Sequence, residues 1–157
     1  MRMRRITIDW SYPMDFEHIL LESRTENIGI YYITQKLGNQ VYDLYIGKTV
    51  YSFGSRLADH AWKWVNQYGG IKQVRLGTIV SPKRLSKEER RILIEDAEKT
   101  LIFLQHSLEH NTQCRKGSAL NNRLYITNTG YRGNLSAEMY IPDENWIEDQ
   151  TKQKGHV

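Results

Sequence analysis

Ile28-Gly29-Ile30-Tyr31-Tyr32-Ile33-Thr34, a break at Leu37-Gly38-Asn39-Gln40, and then Val41-Tyr42-Asp43-Leu44-Tyr45-Ile46-Gly47 decide the fold. The first run is rich in β-branched and aromatic residues and reads as a buried strand. Gly38-Asn39 is a turn signal, and the second run is again strand-like, so the two are expected to form an antiparallel hairpin. Tyr31 and Tyr45 each lie seven residues from Gly38. A hairpin turning about Gly38 sets them opposite one another, with Cβ atoms ~5 Å apart. Taken alone, two such tyrosines also suit an aromatic pair that only stabilises a sheet.

Downstream, Ser55 is expected to open a helix carrying Leu57, Ala58, Ala61, Trp62, Trp64 and Val65, ended by Gly69-Gly70. Val74–Val80 reads as a third strand stopped by Pro82. Ser86-Lys87-Glu88-Glu89 has the spacing of a capping box and starts the longest helix, to about Gln105, with Ile94, Ala97, Leu101 and Leu104 as its apolar stripe. Upstream, Met3–Ile8 alternates weakly, as a strand would, and Asp15–Glu22 has helical spacing with Asp15 as N-cap. After Asn111 the chain is irregular, with a strand at Arg123–Ile126 and a polar tail from Asp149. The expected class is α+β: a small three-stranded antiparallel sheet packed against helices, in one domain over residues 1–157.

The chain has 157 residues, with 22 Lys+Arg against 18 Asp+Glu. No stretch approaches the ~20 apolar residues of a membrane helix, so no membrane association is expected. Met1–Arg5 begins as a signal peptide would, but Asp9 and Asp15 interrupt any apolar segment. A single cysteine, Cys114, excludes an internal disulfide and a zinc ribbon and suggests a reducing compartment, hence a cytoplasmic protein. Charge is uneven: residues 61–133 hold 13 basic and 6 acidic side chains, while residues 1–60 are balanced and 134–157 are acidic. A basic middle suits a polyanion, because each neutralised phosphate releases counterions.

Four further features bear on chemistry. Arg56 and His60 are four apart, one above the other on a helix face that starts nine residues after Gly47. Glu98 lies on or beside the apolar stripe, with Ile94 and Ile102 one turn away on either side, where a carboxylate is costly without a partner. Asn111 follows the long helix, and Lys48 directly follows Gly47, placed to reach a phosphate.

Gly29-Ile30-Tyr31 followed by Tyr45-Ile46-Gly47 resembles the signature of the GIY-YIG nucleases. Arg56 early in the next helix, Glu98 in the long helix and Asn111 thirteen residues later follow that family's order, and Arg56-x3-His60 resembles a variant of its restriction-type members. The resemblance covers residues 28–112 as a catalytic core and leaves 113–157 as an extension with a frayed tail. The proline that often precedes the family's asparagine is replaced by Ser107-Leu108-Glu109-His110, so Asn121 and Asn122 remain alternatives to Asn111.

The resemblance implies a divalent-metal-dependent endonuclease that hydrolyses phosphodiester bonds of DNA to a 5′-phosphate and a 3′-hydroxyl. Glu98 would hold Mg²⁺ or Mn²⁺, a hard cation that keeps several waters. Arg56 would grip the scissile phosphate. Tyr31 would act as general base toward water, Tyr45 would orient the water or a phosphate oxygen, His60 would relay the proton, and Asn111 would brace the site. Lys48, Lys63, Arg90, Arg115 and Lys116 are the expected substrate-binding cations, with Trp62, Trp64 and Tyr131 available to unpaired bases. A monomer or a homodimer is expected. The alternative readings are a non-catalytic nucleic-acid-binding module on the same fold and a protein-interaction domain.

Overall fold

A computed structural model describes residues 3–15, 28–49, 70–105 and 120–142. Within them lie β1 (Met3–Trp10), β2 (Met14–Asp15), β3 (Gly29–Leu37), β4 (Gln40–Thr49), β5 (Ile71–Ser81), α1 (Lys87–Leu104), β6 (Arg123–Gly130) and β7 (Glu138–Tyr140). All seven strands join one mixed sheet in the order β4-β3-β5-β1-β6-β7, with β2 also paired to β5. It curls into a half-barrel.

This overturns the expected small three-stranded sheet packed against helices. Strand accounts for 54% of the described structure, which holds one helix. The antiparallel trio β4-β3-β5 is present, but β1 pairs antiparallel with β5 and extends it. β6 then joins β1 in parallel, and β7 closes that side. The physical reason lies in β1 itself. Ile6, Ile8 and Trp10 are buried on one face, while Arg5 and Asp9 are exposed on the other. That two-fold alternation is a half-buried strand, and it finds partners on both edges. Met14 and Asp15 pair with Val74 and Gln73 of β5, which leaves Asp15 with the extended backbone that an N-cap also has. The rest of the helix expected from Asp15, the helix expected from Ser55, and the tail from Asp149 lie outside the described residues.

The long helix forms as the sequence indicates. Ser86 has extended backbone and its side chain accepts from the Glu89 amide at 3.1 Å, satisfying one of the helix's orphan N–H groups. Ile94, Ala97 and Leu101 are buried, and Leu104 packs beside them. They meet Ile30 and Tyr32 of β3, Ile46 of β4, Ile8 and Trp10 of β1 and Ile126 of β6 in one apolar cluster. Full burial of side chains of this size stabilises by about 1.5–3 kcal/mol each. Trp10 is the largest member. Its indole donates to Asn128 Oδ1 at 2.9 Å, and its ring meets Tyr32 edge-on.

Alternation then fixes what the other face carries. Tyr31, Ile33, Val74 and Leu76 point away from α1 and are nonetheless buried. The β4-β3-β5 wing is therefore covered on both faces, whereas β1 and β6 keep Arg5, Asp9 and Thr129 toward solvent.

Candidate functional site

The hairpin turns through Gly38-Asn39, with Leu37 opposite Gln40. A two-residue turn, followed by a bulge at Leu44 between the Thr34–Asp43 and Ile33–Tyr45 pairs, moves the register. Tyr31 thus faces Gly47, and Tyr45 faces Ile33. The two tyrosines are diagonal neighbours rather than direct opposites. They still share a face, and their rings stack at 5.8 Å between centroids with 23° between planes.

Gly47 makes this stack possible. A Cβ there would lie 2.3 Å from both Cζ and the hydroxyl of Tyr31, and 2.7 Å from Cε1 of Tyr45. The Tyr31 phenol therefore rests on the Gly47 backbone. It is fully buried, while Tyr45 is half-buried. Of the two hydroxyl-bearing rings, Tyr45 is the one that reaches solvent.

The opposite face of the hairpin is braced by a buried polar centre that the sequence reading missed. Asp43 is 3% exposed. It accepts from the Tyr32 hydroxyl, from Gln105 Nε2 at 2.6 Å and from Asn134 Nδ2 at 3.1 Å. One carboxylate thus ties β3, β4, the end of α1 and the turn after β6. Arg75 of β5 lies over the Tyr32 ring and donates to Thr34 Oγ1 at 2.9 Å. Burial pushes its pKa down, and Asp43 offsets part of that shift. Among the described residues the Arg75 Nε has no hydrogen-bond partner. Gly133 allows the turn to lie against this guanidinium, since a Cβ there would stand 3.2 Å from Arg75 Cζ. A charged residue between Val74 and Leu76 in an apolar strand was the available signal.

Three acidic residues of α1 divide sharply. Asp96, not Glu98, is the fully buried carboxylate. It accepts from the backbone amides of Asn121 and Asn122 at 2.9 and 2.8 Å and from both their side chains. Asn121 and Asn122 therefore clamp α1 to the start of β6. Glu95 is held by Lys99 at 3.1 Å, by Arg91 at 3.8 Å and by Lys48 of β4 at 3.9 Å. The Lys99 hydrogen bond holds its carboxyl below the usual value; burial opposes this, and the charges of Lys48, Lys99 and Arg91 each add a smaller lowering. Glu98 is half-buried on the flank of α1 that also bears Arg91 and Glu95.

The site residues expected from sequence are thus placed as follows. Tyr31 and Tyr45 are brought together. Glu98 belongs to α1, which packs on the face away from both phenols, on the flank nearest β4. Lys48 lies on β4 beside that flank. Arg90 donates to the Ile79 carbonyl at 3.1 Å, tethering α1 to β5. Arg56, His60, Lys63, Asn111, Arg115 and Lys116, with Trp62 and Trp64, lie outside the described residues. Tyr131 is exposed and meets Tyr12 edge-on.

Among the described residues no three His, Cys, Asp or Glu side chains gather to hold an ion. A hard Mg²⁺ needs only one or two protein carboxylates and fills the rest with water. Glu98, the carboxylate the resemblance assigns to such an ion, is a hard oxygen donor on α1. Among the described residues no helix is long and apolar enough to cross a membrane. Compared with known protein families, with curated proteins and with solved structures, the chain gives no match in any of the three.

Proposed function

We propose that the protein is a divalent-metal-dependent endonuclease acting on DNA, with its reaction centre astride the β4 edge. What supports this is the stacked Tyr31–Tyr45 pair seated on Gly47, a packing that requires all three signature positions at once. Among the described residues β4 is the last strand on its side of the sheet. Tyr45 stands on one face of it, and the α1 flank bearing Glu98 borders it from the other.

In this reading Tyr45, the phenol that reaches solvent, orients the attacking water and takes its proton. Tyr31, fully buried behind it, fixes the Tyr45 ring. This reverses the emphasis drawn from sequence, where Tyr31 was the base. Glu98 would hold Mg²⁺ or Mn²⁺, which would supply positive charge against the charge that develops on the phosphate during hydrolysis. Lys48 attracts the phosphate backbone. Arg56, His60 and Asn111 keep the roles the resemblance gives them: gripping the phosphate, relaying the proton and bracing the site. Hydrolysis leaves a 5′-phosphate and a 3′-hydroxyl.

The test is incubation of the purified protein with plasmid, single-stranded DNA and structured RNA, with and without Mg²⁺ or Mn²⁺. Metal-dependent cleavage of DNA is expected, and Glu98→Ala should abolish it while leaving DNA binding intact. Failure to cleave any of these, or full metal-dependent activity in Glu98→Ala, would refute the assignment.

A further inference from the structure

The solvent face of the other sheet wing carries a row that neither the core nor the hairpin uses. Arg5 of β1 pairs with Tyr125 of β6, and Tyr125 pairs with Tyr140 of β7. The Arg5 guanidinium carbon lies 4.7 Å from the Tyr125 ring centroid. The Tyr125 and Tyr140 rings are nearly parallel, 13° apart in plane, with centroids at 5.1 Å. Glu138, beside Tyr125, raises the pKa of its phenol, chiefly through a side-chain hydrogen bond. The inward-facing residues of the same strands, Ile6, Leu124, Ile126 and Met139, supply the core instead.

The row has one closed end and one open end. Arg5 covers the inner face of Tyr125, and Tyr125 covers one face of Tyr140. Among the described residues β7 is the last strand of the sheet, and Tyr140 is 44% exposed. A flat ring face at the end of a stacked series is surface that only another flat group covers efficiently. Positive charge lies beside it: the Arg123 guanidinium donates to the carbonyls of Ile141 and Pro142, directly after Tyr140. An anionic backbone with a flat substituent matches both features.

We propose that Tyr140 stacks an unpaired nucleobase, which makes the Arg5–Tyr125–Tyr140 row a binding platform for single-stranded nucleic acid. Base–aromatic stacking tolerates any sequence, because every base has a π-face. Paired bases are already covered by their neighbours in a duplex, so the platform discriminates against double strands. This rests on nucleic acid being the bound polymer, at a site separate from the hairpin.

The experiment is fluorescence anisotropy of the full chain with labelled oligodeoxythymidine of about 12 nucleotides, in EDTA, against a duplex of equal length. Tyr140→Ala should weaken the single-strand affinity by about 5- to 150-fold and leave duplex affinity unchanged. Tyr140→Trp should restore it, which separates stacking from loss of fold. Unchanged oligodeoxythymidine binding in Tyr140→Ala, equal loss for both probes, or no binding by the unaltered protein would overturn the platform. So would self-association that Tyr140→Ala abolishes without any oligonucleotide binding, which would give the row to a second copy. Cleavage that persists while the platform fails leaves the nuclease reading standing, and Tyr140-dependent binding without cleavage does the reverse.

Discussion

Gly47→Ala is the sharpest perturbation of the hairpin. Unstrained carbon atoms approach to about 3.5–4.0 Å, yet the new methyl would sit 2.3 Å from Tyr31 Cζ and its hydroxyl. The phenol must therefore retreat by more than ~1 Å. Tyr31 is fully buried, with Leu76 paired beside it on β5, so the ring has no open space to enter. Overpacking of this kind costs about 1–3 kcal/mol. For a chain of this length, each kcal/mol lowers the melting midpoint by about 2–4 °C. The near-UV circular dichroism of the tyrosines should change as well, because their stacking is lost. If the pair forms part of a reaction centre, a displacement of ~1 Å also slows cleavage by about 10²-fold. Tyr31→Leu removes Cζ and the hydroxyl, the two closest atoms, and leaves the collision with Tyr45 Cε1 at 2.7 Å. Adding it to Gly47→Ala should therefore cost less than the sum of the two single changes. The measurements are thermal and urea denaturation of the three variants. A Gly47→Ala protein within about 0.5 kcal/mol of the parent, with an unchanged tyrosine spectrum, would refute the packing described for the signature glycine.

Asp96→Asn keeps the shape of the side chain but turns an NH₂ toward amides that need an acceptor. Two backbone amides lose a charged partner at 2.8–2.9 Å, so urea denaturation should show a loss of about 3–5 kcal/mol; a loss under about 1 kcal/mol would mean water replaces the carboxylate. Glu95 titrates below its ordinary 4.5 in the folded chain, so its contribution is complete above that value and is lost as pH falls through the lower folded value. Stability of Glu95→Gln should accordingly trail the parent by about 0.5–1 kcal/mol at pH 7, with the gap closing in strong acid, and a gap that stays constant with pH would show that the ion pairs to Lys99, Lys48 and Arg91 contribute nothing.

Local signals were readable because they act locally. The Gly38-Asn39 turn joins adjacent strands, and the Ser86–Glu89 box lies within one helical turn, so neighbouring residues suffice to call both. The hairpin register was not readable. It depends on a two-residue turn and on Leu44 as an unpaired bulge residue, and alternation alone does not reveal an extra residue. The parallel pairing of β1 with β6 was also hidden, since it joins residues 120 apart, as between Asp9 and Thr129. Each strand looks half-buried in sequence, but nothing in either names the other. The exchange of Glu98 for Asp96 as the buried carboxylate has a similar origin. Both flank the apolar stripe, on opposite sides, and only the return of Asn121 and Asn122 to the helix decides which flank is enclosed.

The two wings of the sheet then divide what the surface can do. The β4-β3-β5 wing is covered on both faces, by the Ile30–Tyr32–Ile46 layer under α1 and by the Tyr31–Ile33–Val74 layer opposite. Among the described residues, edge strand β4 and the half-buried Tyr45 are what this wing offers to the proposed chemistry, and the Asp43 hydrogen bonds tie β4 to β3, the end of α1 and the turn after β6. The β1-β6-β7 wing keeps one face open, with Arg5, Thr129 and Tyr140 in solvent. Catalysis benefits from groups fixed to within a fraction of an ångström, whereas a stacking surface tolerates sequence and register. If both proposals hold, a covered wing with its reaction centre at the edge and an open wing with an aromatic row would meet those two demands separately, and one small sheet would hold a polymer at one place and act on it at another.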